Sequence, residues 1–202
     1  MANVTIDNLS PPASVEGGDL FETSKSGISG SATSDQVKDF VSSETNIKRS
    51  FWGNYDDGAT SVTPLSVPAS TWTSIPSDGA GGFTILDELP AGYSLYDTTN
   101  SYIDLSDVTS NSVVMIRADF VVETSTNNVG LKYRLYFDGD IQVFLTKRLP
   151  RLDEGATTYN IVEETTIFAG AATKNFPIRA QVFSTSSVDI TVNGFFIHVI
   201  ER

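Results

Sequence analysis

The sequence predicts an all-β fold, a sandwich or barrel. Two observations predict it. From about Thr71 to Arg202 the chain returns at short intervals to β-branched and aromatic clusters, among them 83–86, 113–122, 129–137, 141–145, 178–183, 188–192 and 195–200. Gly, Asn, Asp and Ser separate these clusters, which is the punctuation of short, turn-linked strands. The first fifty residues are small, polar and poor in aromatics, so they read as a tether ahead of the head. The expected division is an N-terminal anchoring segment over 1–50, a linker over 51–70 and a β head over 71–202.

Within the tether, Asp19–Ser24 is a strand candidate that follows Gly17-Gly18. Thr33 or Ser34 caps a short helix, with Asp35 and Gln36 in its first turn. Val37, Phe40 and Val41 fall at i, i+3 and i+4 and form one apolar stripe. A helix this short does not fold alone, so the stripe needs a partner surface. Leu20 and Phe21 add a second apolar point. These five residues are the expected anchor.

Phe51–Gly58 is aromatic but sits among turn residues, so it reads as a linker. The strand around Ser70–Ser74 lies between Pro68 and Pro76, which places it on an edge. Phe137-Asp-Gly-Asp-Ile141 is a hairpin turn. The last strand, Phe195–Ile200, is nearly all apolar, the pattern of a strand buried on both faces in mid-sheet. Phe195, Phe196, Ile197 and His198 are expected in the core or at a subunit interface.

The chain has 202 residues, 40% of them hydrophobic, enough for a core. It has no Cys, which excludes disulfides, thiolate chemistry and Cys-held metals. Its net charge of −12 repels phosphate backbones, so no nucleic-acid partner is expected. It has no run of 18 apolar residues, so no membrane helix is expected. Met1–Asp7 lacks the basic and apolar regions of a secretory signal, which implies synthesis in a cytoplasm.

Catalytic signals are weak. His198 is the only histidine and no G-x-S-x-G accompanies it. Asp56-Asp57-Gly58 and Asp138-Gly139-Asp140 lack the spacing of a calcium loop. Asp87-Glu88, Asp153-Glu154 and Glu163-Glu164 are adjacent pairs, whose side chains diverge on a strand, and they read as solvated loop acids. The basic cluster Lys147–Arg151 reads as an inter-subunit salt bridge or an anion contact. No enzyme activity, metal or cofactor is expected. Tyr93, Tyr96, Tyr102 and Tyr159 are candidates for glycan contact, with core or interface packing as the alternative.

The stretch Gly18–Val41 resembles a module near the start of tailed-bacteriophage fibre and virion proteins, a short strand, a Gly/Ser turn and a Thr/Ser-capped helix ending in Phe-Val. Pro64–Pro76, Val114–Phe120 and Val192–Val199 resemble the jelly-roll heads of phage fibres and capsid appendages, which are similar to the tumour-necrosis-factor-like trimeric jelly roll. The resemblance implies a jelly-roll β-sandwich head and a homotrimer on a virion surface. It implies a capsid decoration or cement protein, bound to the major capsid protein or another virion component. The alternative it implies is a tail-fibre or receptor-binding module that holds a host-surface glycan.

Overall fold

The computed structural model describes residues 20–25, 28–33, 49–139, 143–154 and 157–201. Met1–Ile47 and Lys48–Arg202 are two compact units. In the first, strands β1 (Leu20–Lys25) and β2 (Ile28–Thr33) pair antiparallel, with Leu20 opposite Thr33 and Lys25 opposite Ile28. The strand expected at Asp19–Ser24 is thus part of a hairpin. Val37, Phe40 and Val41, with the helix expected to carry them, lie outside the described residues.

The second unit is a jelly-roll sandwich. Its strands are β3 (Ser50–Asp56), β4 (Leu65–Val67), β5 (Trp72–Ser74), β6 (Tyr96–Asp97), β7 (Tyr102–Ile103), β8 (Val113–Thr124) and β9 (Leu131–Phe137). They continue with β10 (Val143–Arg148), β11 (Thr157–Phe168), β12 (Ile178–Ser184) and β13 (Val188–Ile200). Two short helices, α1 (Ala59–Val62) and α2 (Ala171–Asn175), fill connections. The first sheet runs β11-β8-β13-β3, with β4 also on β13. The second runs β10-β9-β12-β7-β6, with β5 also on β12.

Alternation builds the core. In β9, Leu131, Tyr133, Leu135 and Phe137 are buried while Lys132, Arg134 and Tyr136 between them are half-exposed. In β8, Val114, Ile116, Ala118, Phe120 and Val122 face the same interior. β9 pairs antiparallel with the next strand β10, the hairpin that the Asp-Gly signal after Phe137 predicts, with Asp140 and Ile141 outside the described residues. β5 pairs with β12 alone, the edge position that its flanking prolines favour.

Two readings of the sequence are corrected. The stretch read as a linker contains β3, which pairs along β13 from Gly194–Asp56 to Ile200–Ser50 and buries Phe51 and Tyr55. The turn residues Gly53, Asn54 and Asp56 hid its period-two pattern. β13 does lie between β8 and β3, but it is buried on one face only. A bulge between Val192 and Gly194 shifts its phase, so Phe195, Ile197 and Val199 point inward while Phe196, His198 and Ile200 point outward.

Candidate functional site

The outward side of the first sheet is apolar at one end. In register across β11, β8, β13 and β3 lie Phe168, Val113, Ile200 and Ser50. The next row is Thr166, Met115, His198 and Trp52, followed by Glu164, Arg117, Phe196 and Asn54. Phe168 is 63% exposed and Val162, further along β11, is 61% exposed. The Trp52 and Phe196 rings lie 5.4 Å apart, and the Arg117 guanidinium sits 5.8 Å from the Phe196 ring. Arg117 also pairs with Asp119 at 2.7 Å, so its charge is balanced on the face. Phe168, Ile200 and Val162 are exposed, and Val113, Met115, Phe196 and Trp52 beside them are half-exposed.

Phe195 and Ile197 are core residues, each 0% exposed. Phe196 and His198 belong to the outer face, which excludes the core and leaves the interface of the two places expected for them. His198 Nε2 lies 2.7 Å from Ser50 Oγ. A Ser–His contact is part of a hydrolytic triad, but a triad also needs a carboxylate on the other ring nitrogen. No carboxylate pairs with His198 among the described ion pairs, and neither residue lines a described cleft.

The tyrosines do not form one sugar site. Tyr96 is 3% exposed and stacks on Phe195 with ring centres 5.0 Å apart, so it is a core residue and not a sugar contact. Tyr93 packs edge-on against Phe51 at 5.2 Å, so it works as a core flank. Tyr159 is in β11 and its hydroxyl donates to the Glu154 carbonyl at 3.1 Å. Tyr102 is in the other sheet, 5.7 Å from the Arg179 guanidinium.

The acidic turn at Asp56–Gly58 is internally satisfied. Asp57 Oδ2 accepts from the Thr60 backbone N–H at 2.8 Å and from its hydroxyl at 2.6 Å. Asp78 Oδ1 accepts from the N–H groups of Gly58 and Ala80, both at 2.9 Å, and these bonds hold its carboxyl below the usual carboxylate range. Among the described residues no group of three His, Cys, Asp or Glu side chains is placed to hold a metal. Lys147 pairs with Glu163 at 3.3 Å and Arg151 with Asp153 at 2.6 Å, both within one chain. Glu163 and Glu164 lie in β11 rather than in a loop, on opposite faces of it. A polar cleft of about 530 Å³ lies between Glu123, Asp189 and the hydroxyls of Ser66, Ser125, Thr157 and Ser187.

No family model matches the chain, and no curated protein does. Among solved structures it is similar to that of infectious bursal disease virus, Gt strain, at 13% identity over 95% of this chain, with a TM-score of 0.42. It spans 42% of the length of that chain. It is similar to Eiger TNF from S. frugiperda at 10% identity, over 76% of this chain and 92% of that one, TM-score 0.44. It is also similar to PRD1 vertex protein P5 at 11% identity, over 96% of this chain and 90% of that one, TM-score 0.40.

Proposed function

We propose that this chain is a non-enzymatic structural protein of a virion. Its head self-associates as a homotrimer through the outer face of the β11-β8-β13-β3 sheet. Its N-terminal segment anchors it to the major capsid protein or another virion component, where it decorates or cements the particle. The observation that carries the self-association is the apolar end of this face, where exposed Phe168 and Ile200 stand beside half-exposed Met115, Phe196 and Trp52, an arrangement typical of association surfaces. The run Phe195–Ile200 has the composition of a strand covered on both sides, and the sandwich core covers only one. A neighbouring copy covers the other with a different surface of its own, as the heterologous contact of a threefold ring requires.

A stable contact needs the whole outer face of the sheet, with the apolar end at its centre. β11 and β8 each have 12 residues and β13 has 13. With the 7 residues of β3, a rise of about 3.3 Å and a strand spacing of about 4.8 Å, the whole outer face, apolar and polar ends together, measures roughly 700 Å². A stable interface buries about 800 Å² on each partner. The balanced Arg117–Asp119 pair matters too, because chains of net charge −12 repel except where local charge cancels. The virion assignment itself rests on the resemblance of Gly18–Val41 and the head motifs to phage proteins.

Charge placed on the face tests this reading. Phe168→Asp with Val162→Asp, both at exposed positions, should leave the circular dichroism of the head intact. The same pair should dissociate the assembly in sedimentation. An unchanged sedimentation coefficient would contradict the assignment of this face.

A further inference from the structure

We propose that the opposite outer face, that of the second sheet, binds a carboxylate-bearing sugar. The chain carries a net charge of −12, yet this face gathers cations. Arg148, Lys132, Phe183 and Trp72 form one row across β10, β9, β12 and β5. Thr146, Arg134, Gln181 and Ser74 form the next, and Tyr136 with Arg179 continue the pattern.

The cations are held among aromatic rings. The Arg134 guanidinium sits 4.2 Å from the Trp72 ring and 5.3 Å from that of Tyr136. Its Nε donates to Gln181 Oε1 at 2.7 Å, which fixes the plane of the fork. The Lys132 ammonium lies 4.9 Å from the Phe183 ring. Arg179 pairs with Asp138 at 2.7 Å, whereas Lys132, Arg134 and Arg148 have no ion pair among the described residues. Burial pushes the Arg134 guanidinium below its usual range, a cost that a bound anion relieves.

This combination selects a class of ligand. A pre-oriented guanidinium binds a carboxylate through two parallel N–H donors. Half-exposed Trp72, Tyr136 and Phe183 offer flat apolar faces on which the C–H side of a pyranose can lie. A long polyanion would be repelled by the rest of the acidic surface. A single carboxylate on a short sugar is not, because distant charges are screened beyond about 8 Å at physiological salt.

The test uses the full chain with 3′-sialyllactose, lactose and inorganic sulfate as probes, read by saturation-transfer NMR and tryptophan fluorescence. Sialyllactose should bind with a dissociation constant on the order of 1 mM. Binding should weaken in raised salt and fall roughly tenfold in Arg134→Gln, one charge-assisted pair being removed. Lactose and sulfate should not bind at the same concentration. No binding of sialyllactose, equal binding of lactose, equal binding of sulfate, or binding that survives Arg134→Gln would each overturn the proposal. If circular dichroism shows Arg134→Gln unfolded, Lys132→Gln takes its place. The same samples are weighed by light scattering, so a monomer that binds the sugar would remove the assembly reading and leave this one.

Discussion

Gly194 lies so close to Tyr55 that a Cβ built on it would sit 2.3 Å from the Tyr55 carbonyl oxygen. Its φ is +141°, a region that side chains rarely adopt. The glycine is what lets β13 bulge while staying paired to β3, and the bulge decides which side chains face outward. Gly194→Ala should therefore cost about 3 kcal/mol or more, from backbone strain and the clash together. Thermal unfolding checks it. The mutant should also lose self-association, since the phase of Phe196 and His198 depends on the bulge.

Two buried tyrosines should respond oppositely to loss of their hydroxyls. Tyr55 accepts the Leu95 backbone N–H at 2.9 Å in a buried site. Tyr55→Phe strands that donor and should cost about 1–3 kcal/mol. Tyr133 is fully buried and its hydroxyl has no protein partner among the described residues. Tyr133→Phe should be neutral or stabilising. Chemical denaturation of both variants measures the contrast, and a loss for Tyr133→Phe as large as for Tyr55→Phe would contradict it.

Asp78 gives a pH signature. Its folded carboxyl titrates below the ordinary 3.8, because the Gly58 and Ala80 N–H groups favour the charged form. A depressed folded pKa stabilises the fold above the unfolded value, and that stabilisation fades as pH falls through the folded one. The melting difference between wild type and Asp78→Ala should thus be largest near neutrality and shrink below pH 3.8. A difference that is constant from pH 7 to pH 2 would contradict the assignment.

The anchor is tested by truncation, and the structure sets where to cut. The Arg49 backbone carbonyl accepts the Glu201 backbone N–H at 2.8 Å and β3 begins at Ser50, so removing 1–50 would damage the head. Removing residues 1–47 should leave a folded head that no longer enters particles. Phe40→Ala in the full chain should weaken incorporation, by roughly 3 kcal/mol or more if the ring is fully buried on the partner. Full occupancy by the truncated head would move the attachment to the head's own loops.

The parts of the fold legible in the sequence are those where period-two apolar patterns are unbroken, such as β8 and β9. β3 was hidden because Gly53, Asn54 and Asp56 look like a turn. Most of β11 was hidden because Thr157–Thr166 alternates around polar residues, with only Ile161 and Thr165 marking its buried side before Ile167. The outward apolar face was half visible. Phe195–Ile200 signalled two covered faces, but its registration with Phe168, Met115 and Trp52 is a property of pairing across the sheet. The cation–aromatic face was not legible at all. Trp72, Arg134 and Phe183 are far apart in the chain and meet only through the β5-β12-β9 register.

The most direct test of the central claim is the mass in solution. One chain weighs 21.8 kDa, so a trimer weighs three times 21.8 kDa, about 65 kDa. Multi-angle light scattering of the wild-type protein should give the trimer mass across a wide dilution series, and Phe168→Asp with Val162→Asp should return it to one chain. A wild-type mass of 21.8 kDa at every concentration would contradict the account.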